Sequence, residues 1–484
     1  LTAPGDSLSR FTGFKSLNLN QEPYALGNEE LVECKNFDLN VGGELTKRKG
    51  FDSFGDEADL PTGYERDIMG FYRTSDFEKF IVHSNEDAWE TTDGVNWSEI
   101  NLGRPGTEYG LQYYNKYYFF QRNGTMIEYD STQSPSVTNV ISGSPEASFG
   151  IVFKDRIFAL NGEFDHDGRE NRLYFSEPGK PTSWPSTNFI DVSPGDGDVL
   201  VNMVPYTDVV FIFKKTSIWA LHIEADPADW SLRQVNDRIG CVGKYALQQH
   251  KEQVYFISLD GVYRTDFTSF EELSIPIRPI FQEKELNINI ARDTPVYDYL
   301  VDVEDYLLVA IETSSGTIYY KYFYDVDGWA EFSPANYTPS FFTYFFGGSN
   351  FSKGLYASEE GNPGLYFLPA QGATETDLGN PITCSFKTKE TDFDAFNLVK
   401  RGKLFTLLVK KGNNLVLDAI TENTLLSRSA PAPTTGDSRR IKLRGPGYFN
   451  RLQLELRETS DQSFSFFSCE LVVQPKSEWV EQVA

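Results

Sequence analysis

Apolar and polar positions alternate along this chain in short bursts, and the bursts recur. "DVVFIFKKTSIWALH", Asp208 to His222, shows the unit: an apolar run, a turn at Lys214-Lys215-Thr216, and a second run carrying Ile218, Trp219 and Leu221. Runs of four to eight aromatic and β-branched residues bounded by polar turns read as paired strands. Looser copies start at Lys79, Lys116, Asp155, Glu252, Asp305 and Lys353. Their spacing lies near the ~40–50-residue period of propeller blades, each a small sheet of about four strands. The pattern predicts an all-β, β-propeller-like body over residues 64–370. The uneven spacing leaves β-sandwiches or an incomplete barrel as the alternatives.

Outside the body the pattern changes. Residues 1–63 read as an N-terminal arm or cap, with Gly42-Gly43 as a hairpin turn and Asn28–Cys34 as one or two helical turns capped by Asn28. A Gly/Pro/Thr-rich break, "PAQGATETDLGNPI", separates the body from six closely spaced strands over 380–475. In the fifth of these, Leu452, Leu454 and Leu456 face one side, and Gln453, Glu455 and Arg457 the other. The reading there is a C-terminal antiparallel β-sandwich, followed by a tail over 476–484. No long helix is predicted.

Composition sharpens this picture. The 484 residues include 38 Phe and 26 Tyr but only 3 Met, a bias toward strands. The net charge of −26 argues against a protein that grips nucleic acid by its phosphates. It suits a surface past which nucleic acid slides. The charge is uneven: Asn397–Lys476 holds 13 Lys/Arg and 7 Asp/Glu, a balance of +6, which leaves −32 for the remainder. A basic C-terminal module of this kind is suited to docking on an acidic surface. Cys34, Cys241, Cys384 and Cys469 are too scattered for a metal knuckle and read as buried free thiols. No run approaches the ~20 apolar residues of a membrane span, and the N-terminus shows no signal-peptide pattern.

Candidate chemistry is sparse. None of His83, His166, His222 and His250 sits in a nucleophile-elbow context, and no phosphate-cradling Gly-rich loop occurs. "TTDGVNW", Thr91 to Trp97, approximates the Asp-box turn of sialidase-like propellers, a fold feature remote from catalysis. Two acidic loops offer oxygens for calcium: Glu163, Asp165, Asp167 and Glu170 in one, Asp191, Asp196 and Asp198 in the other. Asp and Gly are also ordinary turn residues, and that reading is favoured. Trp97 and Trp184, in turns, are the aromatics a sugar-binding module would expose. No catalytic, cofactor-binding or metal-binding residue is assigned, no cofactor is expected, and the chain is read as a non-enzyme.

Three stretches resemble a known family. "SWPSTNFIDVSPGDGDVLVNMVPYTDVVFIFKKTSIWALH" (Ser183–His222), "NFDLNVGGELTKRKGF" (Asn36–Phe51) and "YFNRLQLELRETSDQSFSFFSCELVV" (Tyr448–Val473) are similar to stretches of tail hub or nozzle (tail tubular) ring proteins of short-tailed bacteriophages. Lys49 stands where a proline often follows the arginine, a departure confined to the local turn. The resemblance implies a structural virion protein that forms a cyclic homo-oligomer, a hexamer in the family. It would retain packaged DNA and conduct it during ejection. The implied partners are further copies of the chain, a portal-adaptor ring, tail fibre or spike proteins, and double-stranded DNA passing through the lumen without sequence-specific binding. The implied location is the virion tail, after synthesis in the host cytoplasm. No channel-gating residue is identified. The rival reading is a propeller-fold polysaccharide-degrading enzyme or glycan-binding module of a phage tail.

Overall fold

The structure is a computed structural model that describes residues 6–55, 68–74, 78–83, 88–103, 107–132, 136–162, 169–287, 298–313, 316–335, 337, 339–359, 365–369, 374–394, 398–422, 424–430 and 438–475. Seven four-stranded antiparallel units follow one another around a ring. Blades 1 to 6 span residues 68–100, 107–140, 149–191, 200–236, 247–272 and 299–332, and blade 7 holds three strands over 339–369. The first strand of blade 7, Pro339–Phe345, lies beside the first strand of blade 1, Ile68–Arg73, so the ring closes. The protein is an all-β chain with a β-propeller body.

The seven recurrent starts in the sequence fall at or within three residues of the second strand of each blade. These strands, such as Lys116–Gln121 and Arg156–Leu160, are buried almost without alternation. Both of their faces pack against neighbouring blades, so each must be apolar on both sides. The longest intervals have local causes. Blade 3 carries extended connections around Arg172–Phe175, and the helix Arg278–Asn287 follows blade 5. That helix is the longest among the described residues. Among the described residues no helix is long and apolar enough to cross a membrane.

The outermost strand of blade 7 comes from the far end of the chain. Asp52–Ser53 pairs with Phe367 and Tyr366, and the Phe54 N–H donates to the Leu365 carbonyl. Residues 7–47, expected as part of an arm, are spent as strands of the C-terminal sandwich. Ser7–Thr12 and Leu45–Lys47 pair with the last strand, Phe464–Pro475. Glu30–Lys35 pairs with Cys384–Thr388. The latter replaces the helical turns expected over Asn28–Cys34, because the edge of a partner sheet outbids a weak local propensity. The tail over 476–484 and the arm residues 56–63 lie outside the described residues.

The sandwich buries Leu452, Leu454 and Leu456 of one sheet against Phe405, Leu407 and Val409 of the other. The same apolar core runs on into blades 4, 5 and 6. Propeller and sandwich therefore share one core.

A buried polar joint fixes their relative placement. Arg48 is 1% exposed and meets both carboxylate oxygens of Asp377, at 2.9 and 2.5 Å. Its other N–H groups donate to Asn36 Oδ1 and to the carbonyls of Lys49 and Ser333. Asp377 also accepts from the Phe51 and Ala335 backbone N–H groups. Nearby, Lys47 pairs with Glu458 at 2.8 Å with both side chains fully buried. Gly50 packs so tightly here that a Cβ would lie 1.9 Å from the Thr376 carbonyl oxygen. The stretch Asn36–Phe51 is thus the hinge pin between the first fifty residues, blade 6 and the linker to the sandwich.

Removing one partner of a buried, hydrogen-bonded pair costs about 3–5 kcal/mol because it strands the other charge. Asp377→Ala is expected to lower stability by about that amount, read as the shift in a urea unfolding midpoint. The double variant Arg48→Met/Asp377→Leu should recover much of the loss. An unchanged midpoint in the single variant would sink this account of the joint.

Candidate functional site

A propeller offers two places for chemistry: its axial channel and the clefts between blades. The channel here encloses about 440 Å³. It is lined by the first strands of blades 2 to 7, including Tyr109, Phe149, Met203, Leu247, Leu300 and Phe341. First strands run alike in every blade, so their beginnings gather at one mouth, and that mouth is plugged.

The plug is built by the connection between blades 4 and 5. The Lys244 ammonium pairs with the Glu108 carboxylate and donates to the Glu108 carbonyl. The Tyr245 hydroxyl donates to the same carbonyl at 2.6 Å. Asn202 of blade 4 donates to the Lys244 carbonyl, and the Leu300 N–H of blade 6 donates to the Tyr245 carbonyl. The Tyr245 ring meets Phe341 of blade 7 with centroids 5.1 Å apart. One dipeptide therefore touches blades 2, 4, 6 and 7, which it can do only by spanning the mouth. Burial pushes the Tyr109 hydroxyl beside it up to about 12. A channel of this volume, closed at one end, holds a few side chains or a small molecule and cannot pass a duplex.

A larger, polar cleft of about 690 Å³ opens between blades 6 and 7, lined by Asp38, Glu304, Asp305, Lys321 and Lys353 among others. Four of these charges pair within the cleft. Lys321, 3% exposed, donates to Asp38 at 2.8 Å and lies 4.2 Å from the Tyr306 ring centroid. Lys353 pairs with Glu304 at 2.5 Å. Burial draws the Lys321 ammonium below its ordinary range.

The residues singled out from the sequence have structural employment. Asp191 pairs with Arg172, and Asp196 pairs with Lys214 at 2.6 Å. Partial burial raises Asp196, but the Lys214 ammonium and the Asp198 N–H outweigh it and hold the carboxyl low. Asp198 accepts from the N–H groups of Lys215 and Thr216 and from the hydroxyls of Thr216 and Ser217. The Gly-Asp-Gly-Asp loop is thus a clasp on the blade 4 hairpin. Lys214 and Lys215, in the turn read from the sequence, are 0% and 6% exposed beneath it. In the other acidic loop Glu163, Asp165 and Asp167 lie outside the described residues. Among the described residues no group of three or more His, Cys, Asp or Glu is placed to hold a metal.

The Asp-box-like turn closes as such boxes do. Asp93 accepts from the Asn96 side chain and from the backbone N–H groups of Asn96 and Val95, which together hold its carboxyl well below the usual range. Trp97 packs beneath, edge-on to Phe80. Trp184 packs against the core between blades 2 and 3 and donates to the Pro181 carbonyl. Neither tryptophan is an exposed platform for sugar.

His83 contacts the Tyr117 hydroxyl at 3.3 Å, and His250 contacts Asp302 at 3.0 Å under the stacked Tyr324 ring. Neither pair includes a serine or cysteine. The His250–Asp302 contact, made through Nδ1, was not legible beforehand, because Asp302 lies on the next blade. All four cysteines are buried and unbridged. Burial pushes Cys34, Cys384 and Cys469 far above the ordinary thiol range.

No protein-family model matches the chain. No curated protein matches it either. Solved structures similar to it include PorZ, a surface component of the type-IX secretion system of Porphyromonas gingivalis. The identity is 12% over 78% of this chain and 46% of that one, with a TM-score of 0.41, so this chain spans about half the length of PorZ. BamB from Moraxella catarrhalis is similar at 11% identity over 66% and 92% of the two chains, with a TM-score of 0.38. BBS1N, solved in complex with ARL6DN, is similar at 11% identity over 67% and 99%, with a TM-score of 0.41. Likeness at this level carries no argument about function.

Two outcomes follow from the site. Asp198→Ala strips a charged acceptor from four donors of the blade 4 turn and is expected to cost about 2–3 kcal/mol, measured by chemical unfolding. Burial draws His83 down to about 3. Below about pH 6.5 the unfolded chain takes up a proton that the folded chain refuses. Stability should therefore fall as pH drops from about 6.5 toward 3, by up to about 1.4 kcal/mol per pH unit from this group. His83→Leu should flatten that part of the pH profile, and an unchanged slope would show that other groups set it.

Proposed function

We propose that this chain is a structural protein of a bacteriophage tail, a ring-forming nozzle or hub subunit that retains packaged DNA and later conducts it. The observation that carries this reading is the joint at Arg48–Asp377 together with the core shared by propeller and sandwich. A two-part body locked in this way is a rigid wedge, and rigid wedges with one repeated contact close into cyclic rings. The resemblance of Asn36–Phe51 and Ser183–His222 to nozzle proteins points the same way, and both stretches are structural clasps in this fold.

With the propeller channel plugged, a DNA path would run in the lumen of the proposed ring, between subunits. An acidic lumen repels phosphates and leaves the duplex free to run. Lumen-facing loops would act as the gate, moving aside when the tail is triggered. The rival glycan-processing reading has lost its exposed tryptophan anchors and draws support only from the aromatic channel wall.

Negative-stain microscopy with light scattering tests the proposal. Closed rings with a central hole wide enough for duplex DNA, from a sample that releases no sugar from host glycans, are the expected outcome. A monomer that cleaves or binds those glycans would overturn it.

A further inference from the structure

The charge asymmetry of the sequence has a definite location in the fold. Ser438–Phe449 is the end strand of its sheet, paired on one side only, to Lys400–Lys411. Alternate residues of a strand share a face, so Arg440, Lys442 and Arg444 form a straight row with steps of about 7 Å. All three are exposed. None has a hydrogen-bond or ion-pair partner among the described residues. The residues between them, Ile441 and Leu443, are buried and hold the strand in place.

Apolar groups are exposed on the same module. Tyr448, 55% exposed, lies farther along the same strand under the Arg401 guanidinium. Leu425, 65% exposed, begins the end strand of the facing sheet. Arginines and a tyrosine beside exposed aliphatic surface is the composition of a protein interface. Phosphate contact alone needs no Leu425 or Tyr448. The row therefore fits an acidic protein surface better than a nucleic acid.

The propeller of a second copy supplies such a surface. Between the third and fourth strands of blade 4, residues 224–229 form an exposed knob carrying Glu224, Asp226 and Asp229. The knob is held in shape. Asp226 accepts from the Ala228 N–H to cap a short turn. The Trp230 ring packs on Phe158 and Phe175 of blade 3, while its Nε1–H donates to the Glu224 carbonyl. Glu224 and Asp229 have no ion-pair partner among the described residues. An exposed free anion cluster and an exposed free cation row on one chain cancel when two copies meet.

We infer that the basic edge strand of the sandwich, through Arg440, Lys442 and Arg444, docks on the acidic blade 4 knob of a second copy of this chain. The two surfaces differ, so the contact propagates from copy to copy unless two copies pair reciprocally about a two-fold axis. This rests on the ring reading above and gives that ring its contact.

The test uses the full chain in light scattering and sedimentation at low and high salt. Wild type is expected to assemble at low salt and to dissociate as salt screens the pairing. Arg440→Glu/Lys442→Glu/Arg444→Glu, all surface changes, should keep the wild-type melting temperature and weaken assembly about tenfold or more, as loss of at least one full ion-pair contact predicts. Adding Glu224→Lys/Asp229→Lys to that variant should restore assembly. The inference is overturned by a wild type that stays monomeric at every concentration, by a reversed variant that assembles normally, or by failure of the charge swap to restore contact. It is overturned equally if the reversed variant loses binding to a duplex oligonucleotide while keeping its assembly. The two readings fail separately. Rings from the reversed variant discard the pairing and keep the ring; closed wild-type dimers that depend on the swap keep the pairing and discard the ring.

Discussion

A guanidinium taken out of water must be met by charge and by hydrogen bonds, and this requirement organises the molecule at Arg48. Two oxygens of Asp377, two backbone carbonyls and one side-chain amide oxygen surround it. Those acceptors come from the linker, from the end of blade 6 and from the N-terminal segment itself. Buried pairs are weak sources of net stability but strict constraints on orientation, since a misplaced partner leaves a bare charge. Arg48 therefore converts two modules that share an apolar core into one body with one shape. The Lys47–Glu458 pair beside it adds the last strands of the sandwich to the same constraint.

The propeller was legible because its unit is local. A blade's central hairpin pairs residues close in sequence, so aromatic runs and turn residues betray it without knowledge of the rest. The first fifty residues were opaque for the opposite reason. Ser7–Thr12 pairs with residues 468–473, and Asp52–Ser53 with 366–367, and no periodicity reports a partner that distant. The clasp on blade 4 was hidden on similar grounds. Two adjacent lysines in a turn look solvated until the acidic loop that buries them is seen to fold back from 18 residues upstream. The same loop had looked like a possible calcium ligand set, and its carboxylates are spent on backbone N–H groups, hydroxyls and Lys214.

The channel plug had no sequence signal at all. Glu108 and Lys244 are ordinary residues in ordinary strings, and only the closed ring brings blade 2 opposite the start of blade 5. Its consequence for mechanism is geometric. Propeller blades surround a central channel, and here one end of it is filled with tyrosine and an ion pair. The channel is then closed at that mouth, while the exposed Arg440, Lys442 and Arg444 lie on an edge strand and Glu224 and Asp229 at a blade tip.

The closure of blade 7 by Asp52–Ser53 also has a meaning in time. A chain emerges from the ribosome N-terminus first, yet its early strands belong with its latest ones: the Ser7 hydroxyl donates to Val473, 466 residues on. Neither ring nor sandwich can be completed from a partial chain, and such long-range pairing is slow to form. A truncated product would expose unpaired strand edges at both modules. The topology thereby acts as a completeness check, since only a finished chain owns the rigid surfaces by which a copy could be incorporated.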